Sequence, residues 1–133
     1  MNRQKLLSYR KQLGNRGESA AAELYTALGY HVVERNWRCR AGELDIVLIR
    51  NNEIIFAEVK SMRYRQGVQP EINLSSHQRR RNFRAARFYL KCSAVSDLTG
   101  RFDLIAVTFG RFGIRSIRRY RDYLPILPAE EES

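Results

Sequence analysis

The chain is poor in the residues that build metal clusters, covalent staples and membrane spans. Its two cysteines, Cys39 and Cys92, stand far apart and in no Cys-x-x-Cys or Cys/His spacing, which excludes a zinc ribbon and a disulfide framework and suits a reducing cytoplasm. Its two histidines, His31 and His77, belong to no ligand spacing and receive no site role. No apolar run approaches the roughly 18 residues that a membrane span needs, and the opening MNRQKLLSYRKQLGNRGES lacks the apolar core of a signal peptide. A cytoplasmic protein without membrane contact is therefore expected. Lysine is scarce as well: apart from Lys5, Lys11, Lys60 and Lys91, all of the 24 basic residues are Arg. Internal repeats and low-complexity tracts are absent from the sequence.

Positive charge is abundant. Against 24 Lys and Arg stand 14 Asp and Glu, a formal net charge of +10, and three of the acids crowd together as Glu130, Glu131 and Glu132. That balance points to a polyanionic partner, nucleic acid first, ahead of loose attraction to acidic proteins or lipid surfaces. The 133 residues, 44% of them hydrophobic, suit one domain over residues 1–123. Residues 124–133, where Pro125 and Pro128 precede the glutamates, read as a flexible acidic tail.

Residues 1–14 place Leu6, Leu7, Tyr9 and Leu13 in a pattern open to a short helix or a loose arm. Ala20, Ala21, Leu24, Ala27 and Leu28 then recur at helical spacing, with Gly29 as a stop. YHVVERNW reads as a short strand, and residues 43–50 and 53–60 read as two strands apolar on both faces. Residues 75–91 form a second long helix that opens on a Ser75-x-x-Gln78 capping box. RFDLIAVTF is a core strand, and the basic GIRSIRRY belongs at a sheet edge. The order is helix, three strands, helix, two strands, an α/β fold whose sheet is covered on both sides.

Four charges interrupt the central strand pair: Glu43, Asp45, Glu58 and Lys60. A two-residue turn at Asn51-Asn52 pairs Arg50 with Glu53. Counting outward then sets Asp45 opposite Glu58 and Glu43 opposite Lys60, all on one face. Like charges at about 5 Å repel unless a proton or cation lies between them. A hard divalent ion, Mg²⁺ or Mn²⁺, meets that need and leaves positions open for a phosphodiester. Lys60 is a compact, titratable amine in a chain that otherwise prefers Arg, suited to orienting water or offsetting charge on phosphate oxygens. The bland alternative is a Glu43–Lys60 surface pair beside two carboxylates at the wet end of a hairpin.

Arg80, Arg84, Arg87 and Lys91 recur at three- and four-residue spacing on the second helix without interleaved acids, a row suited to phosphates. Arg63 and Arg65 follow Lys60 in a loop with Gly67 and extend that surface. Trp37 and Tyr64 are candidates to stack on a base, though isolated aromatics are more often packing.

Taken together, Gly17-Glu18, GYHVVERNWRCRAGELDIV, FAEVKSM, QRRRNFRAARFYL and RFDLIAV resemble, in order and spacing over about residues 14–123, the YraN family of bacterial proteins. The resemblance implies a restriction-endonuclease-like core of the PD-(D/E)xK superfamily, a central mixed β-sheet flanked by α-helices, related to archaeal Holliday junction resolvases. It also implies a helix Glu, an Asp, a Glu and a Lys as the site, here Glu18, Asp45, Glu58 and Lys60, with Glu43 as an additional acid. On that reading Asp45, Glu58 and the Val59 carbonyl hold the metal, and DNA, branched or otherwise structured, is cut. Resolution of a junction would need two symmetric sites, hence a homodimer. The competing reading is a binding module that keeps the fold without cleavage and acts through a protein partner. The chain departs from the family where relatives carry Lys at the start of the second long helix, having Gln78 preceded by His77.

Overall fold

Asn2 opens the first helix: its side-chain oxygen accepts the Lys5 N–H at 2.8 Å, and helix α1 runs unbroken over Arg3–Ala27. The basic opening residues are thus helical and continuous with the predicted helix. Its end is a Schellman motif, with Gly29 at φ 92°, its N–H bonded to the Thr26 carbonyl, and the Tyr30 N–H bonded to the Tyr25 carbonyl. This computed structural model describes residues 2–68, 74–93 and 98–124, so the tail predicted beyond Leu124 lies outside the described residues.

Three strands follow, β1 (His31–Cys39), β2 (Gly42–Arg50) and β3 (Glu53–Arg63), then helix α2 (Ser76–Cys92), β4 (Thr99–Gly110) and β5 (Gly113–Leu124). They form one mixed sheet in the order β1-β2-β3-β4-β5. Only β3 and β4 are parallel, because α2 carries the chain back across the sheet between them. Asn51, at φ 55°, makes the β2–β3 turn, and Arg50 pairs with Glu53 as its two-residue length predicts. The basic β5 is an edge strand, as its composition predicts.

The sheet is buried on both faces, which is why its central strands carry so few polar residues. Ile46, Leu48, Ile55, Ala57, Ile105 and Val107 pack with Ala20, Ala21 and Tyr25 of α1. Val47, Ile54, Phe56 and Leu104 pack with Ala85, Ala86 and Tyr89 of α2 on the other face. These layers constitute an α/β fold consistent with a restriction-endonuclease-like core. Trp37 belongs to the second cluster, edge-on to Tyr89 with ring centroids 5.1 Å apart, so it is packing and not a stacking platform.

Small residues set how close α1 lies. A Cβ on Gly17 would overlap the Ser61 Oγ of β3 and come within 3.1 Å of its Cβ. Gly17→Ala is therefore expected to lose about 1–3 kcal/mol by overpacking, with part regained on adding Ser61→Ala. Urea unfolding checks this, and an unchanged midpoint in the single variant would mean that α1 shifts freely over β3. The contact also fixes the position of Glu18, the next residue.

Candidate active site

Pairing between β2 and β3 runs from Arg50↔Glu53 to Ile46↔Ala57 and stops there, although β2 stays paired with β1 as far as Gly42. The predicted register thus holds through the hydrophobic half of the hairpin, but the cross-strand pairs Asp45–Glu58 and Glu43–Lys60 do not form as ladder pairs. The two strands part, and the Asp45 carboxylate accepts the Val59 N–H at 2.8 Å in place of a backbone carbonyl. Since the N–H and C=O of a strand residue project toward the same edge, the Val59 carbonyl also faces the gap.

Alternation breaks at the same place. Leu44 packs on the α2 side whereas Ile46 and Leu48 pack on the α1 side. On neighbouring β1, between Arg35↔Ile46 and Trp37↔Leu44, Asn36 adopts φ 52°, a left-handed conformation that Asn tolerates better than most residues. The kink turns Asn36 toward α1, where its side chain hydrogen-bonds Glu18. A residue of α1 thereby comes within electrostatic reach of the β2 carboxylates Asp45 and Glu43.

Glu58 is 8% exposed. Burial, the adjacent Asp45 charge and a hydrogen bond between the two carboxyl groups push its pKa up to about 9, against an opposing pull from Lys60. Asp45 is also raised, chiefly by burial, but the Val59 N–H and the bond to Glu58 favour its charged form. The two groups titrate as a coupled pair, and Glu58 keeps its proton well above the ordinary carboxylate range. Glu18 is raised by burial and by Asp45, partly offset by Asn36 and by Arg35, whose nearest nitrogen is 3.9 Å from its Oε2. Among the described residues that buried Oε2 has no hydrogen-bond partner.

Glu43 is at the rim, half exposed, and meets Arg38 of β1 at 3.4 Å instead of Lys60. Its charge is still felt by Glu18, Asp45 and Glu58. Lys60 is half-buried two residues beyond Glu58, and its charge favours ionisation of both Asp45 and Glu58.

The residues at the start of α2 were only partly anticipated. Ser75 caps the helix, accepting the Gln78 N–H at 3.1 Å. The Gln78 side chain does not close a capping box; it donates to Asn82 Oδ1 at 2.9 Å and, at the limit of 3.5 Å, to Glu58 Oε1. Gln78 and the fully buried Asn82 form an i, i+4 polar pair on the helix face that also carries Ala85 and Ala86. That was the signal available in the sequence, together with an Asn between charged residues in ERNWR.

A metal ion fits these groups by charge and donor type. Among the described residues no three His, Cys, Asp or Glu side chains already converge as a ligand set, but Mg²⁺ binds through one or two carboxylates and keeps several waters. Two abutting carboxyl groups, a carbonyl in the gap and an orphaned buried Glu18 oxygen are donors of that class.

Of the expected phosphate-binding residues, Arg63, Arg65, Arg80, Arg84 and Lys91 are exposed. Arg87 is not: it is 5% exposed, its guanidinium 5.5 Å from the Phe83 ring centroid, so it leaves the proposed row for the interior. A groove of about 520 Å³ between α1 and β1 is lined by Lys11, Gly14, Asn15, Glu18, Asn36 and Arg38, giving the carboxylate cluster a second approach with basic walls. Neither His31 nor His77 enters the cluster; both are exposed. Cys39 and Cys92 are free thiols. No helix of the described residues is long and apolar enough to cross a membrane.

Comparison with known proteins finds the model of "Uncharacterised protein family UPF0102" over residues 17–107, which include the whole carboxylate–lysine cluster. A UPF0102 protein of Moorella thermoacetica is 37% identical over 102 residues, covering 77% of this chain and 85% of its own length. One from Geobacter metallireducens is 37% identical over 101 residues, 76% of this chain and 83% of its own. A third, from Desulforamulus reducens, is 36% identical over 118 residues, 86% of this chain and 97% of its own.

Proposed function

The chain belongs to the UPF0102 family, the YraN family of the sequence motifs, and from its carboxylate–lysine cluster we propose that it is a metal-dependent nuclease hydrolysing phosphodiester bonds in DNA. One observation carries this reading. At the point where β2 leaves β3, the Asp45 carboxyl turns into the gap to meet the Val59 N–H and lies within hydrogen-bonding reach of the buried Glu58 carboxyl, with Lys60 two residues beyond Glu58 on β3. A fold gains nothing in stability from burying two carboxyl groups against each other, whereas a cation site requires it.

Asp45, Glu58 and the Val59 carbonyl would hold Mg²⁺ or Mn²⁺, which when bound supplies Lewis acidity and charge neutralisation to a phosphodiester. Lys60 donates a hydrogen bond to the attacking water and offsets negative charge growing on the phosphate oxygens. A P–O bond to the water oxygen forms as a P–O ester bond breaks; the attacking water gives up a proton to solvent and the departing alkoxide takes one from it. Glu18, steadied by Asn36, and Glu43 at the rim enlarge the negative field that retains a cation. The exposed Arg residues of α2 and of the loop after β3 supply phosphate contacts. Branched DNA is the favoured substrate through the resemblance to junction resolvases.

The opposing observation is that Asp45 already uses an oxygen to cap the Val59 N–H, as a purely structural carboxylate would. A binding module follows from that, and divalent-ion dependence separates the two. Labelled duplex, single-stranded, flap and four-way-junction DNA should be cut by the parent with Mg²⁺ or Mn²⁺. Glu58→Ala should abolish the cut, and Lys60→Ala should slow it by about 10²-fold or more. Equal DNA binding with no cleavage by the parent in either metal would leave only the binding module.

A further inference from the structure

We propose that the tip of the β4–β5 hairpin, with Tyr64 and Arg115 beside it, is a stacking site for unpaired or partly unstacked bases of nucleic acid. The inference takes its ligand class from the proposed function but not its chemistry.

Three observations carry it. Phe112 is 96% exposed at a two-residue tip, Arg111-Phe112, between the paired Gly110 and Gly113. Tight turns are served by Gly, Asn, Asp and Pro. A phenyl ring adds nothing to this one and leaves a large apolar surface in water, a contact site more than a fold element. Second, Tyr64 is exposed with the Arg115 guanidinium 3.6 Å from its ring centroid. Tyr64 extends the parallel ladder by donating its N–H to the Phe109 carbonyl at 2.8 Å. A stacked Tyr–Arg pair presents flat faces to a base, since bases stack on aromatic rings and guanidinium planes alike.

Third, the surroundings select a polyanion. From Gly110 to Arg121 the chain carries Arg111, Arg115, Arg118, Arg119 and Arg121 and no acid, and the exposed Arg63 and Arg65 flank Tyr64. Such a surface repels a second copy of itself and attracts phosphates. Apolar wedges set among basic residues are what proteins insert between base steps.

Its place in the fold fixes its relation to the cluster. Alternation along β3 carries Tyr64 to the face of Glu58 and Lys60, about 13 Å beyond Lys60 at the rise of a strand. Arg63 pairs with Phe109, and the hairpin tip projects roughly another 7–10 Å past that level. At 3.4 Å per base pair, the ring would meet DNA about 5–6 base pairs from the phosphodiester at the cluster.

The test is binding in EDTA, where cleavage is suppressed, of a linear duplex and of a flap and four-way junction with 2-aminopurine at the branch point. The parent is expected to bind the branched DNAs more tightly than the duplex and to raise the 2-aminopurine signal. Phe112→Ala should lose about tenfold or more of branched-DNA affinity and the fluorescence rise, with duplex affinity and melting temperature unchanged, while Phe112→Trp retains both. Equal branched-DNA binding by Phe112→Ala would overturn the proposal. So would a parent dimer, or parent binding to anionic vesicles, that Phe112→Ala abolishes. Cleavage by the parent in Mg²⁺ is scored separately: binding as described without cleavage removes the nuclease and leaves the stacking site standing.

Discussion

Glu58→Gln is expected to raise the melting temperature of the metal-free protein most at pH 9 and little at pH 5, while abolishing metal-dependent activity. The folded chain keeps the Glu58 proton up to about pH 9, whereas in the unfolded chain the group ionises near its ordinary 4.5. Between those values the folded state binds more protons, so the parent loses stability steadily as pH rises through the window. Gln presents a neutral amide at every pH and escapes that loss, on the order of 3–5 kcal/mol at the alkaline end after allowance for the coupling to Asp45. Added Mg²⁺ should raise the parent's melting temperature, more so at higher pH because the cation replaces a proton, and leave the variant's unchanged. Scanning calorimetry at several pH values with and without Mg²⁺ reads all of this. A constant gap between variant and parent from pH 5 to pH 9 would mean that Glu58 is ionised throughout.

The second large effect lies far from the cluster. Asp103, fully buried on β4, accepts the Tyr25 hydroxyl at 2.6 Å, two Arg101 nitrogens at 2.9 and 3.1 Å, and the Asp122 N–H at 2.9 Å. Arg101 reaches Glu53 at 2.8 Å, and Glu53 accepts the Tyr30 hydroxyl at 2.7 Å. This network ties the end of α1 to β3, β4 and the edge strand β5. Asp103→Ala removes one of the two carboxylates that hold the Arg101 charge and strands two other donors, the Tyr25 hydroxyl and the Asp122 N–H, and is expected to cost about 3–5 kcal/mol, a large part of the total for a domain of this size. The double variant Arg101→Met, Asp103→Leu should be less damaged than Asp103→Ala, because an absent charge needs no partner. Urea unfolding of the three proteins decides it. A double variant no more stable than Asp103→Ala would mean that the loss does not come from the Arg101 charge.

Most of the architecture was legible because it rests on short-range rules. The order of elements follows from hydrophobic period, Gly29 and Asn51 supply the left-handed conformations at a helix end and a turn, and Ser75 caps a helix. Arg-rich GIRSIRRY is unsuited to burial and falls at an edge. The opening of α1 was open to two readings because its exposed residues carry little period; its conformation is set by the Asn2 cap and by continuity with the buried stretch that follows. Arg87 was misplaced because helical spacing puts it beside Arg80 and Arg84 but says nothing of what covers that part of the helix.

The sequence by itself determined which residues are available for chemistry: two acids and a lysine on consecutive strands, in a chain that otherwise chooses Arg. It could not determine how they meet. An ideal hairpin continues its ladder, and each further pair would have separated the α1 face from the α2 face by an intact sheet. Tertiary packing ends the ladder at Ile46↔Ala57, turns Asn36 and Leu44 across the sheet, and lets Glu18 approach Asp45 through the opening. The same packing brings Gln78 and Asn82 of α2 to the other side of the cluster. These contacts join groups far apart in the chain, and their energy comes from the close approach of α1 at Gly17 and of α2 at Gly42, where a Cβ would lie 2.7 Å from the Arg81 carbonyl oxygen. A periodicity in one strand carries no record of such approaches, because they depend on volumes contributed by residues elsewhere.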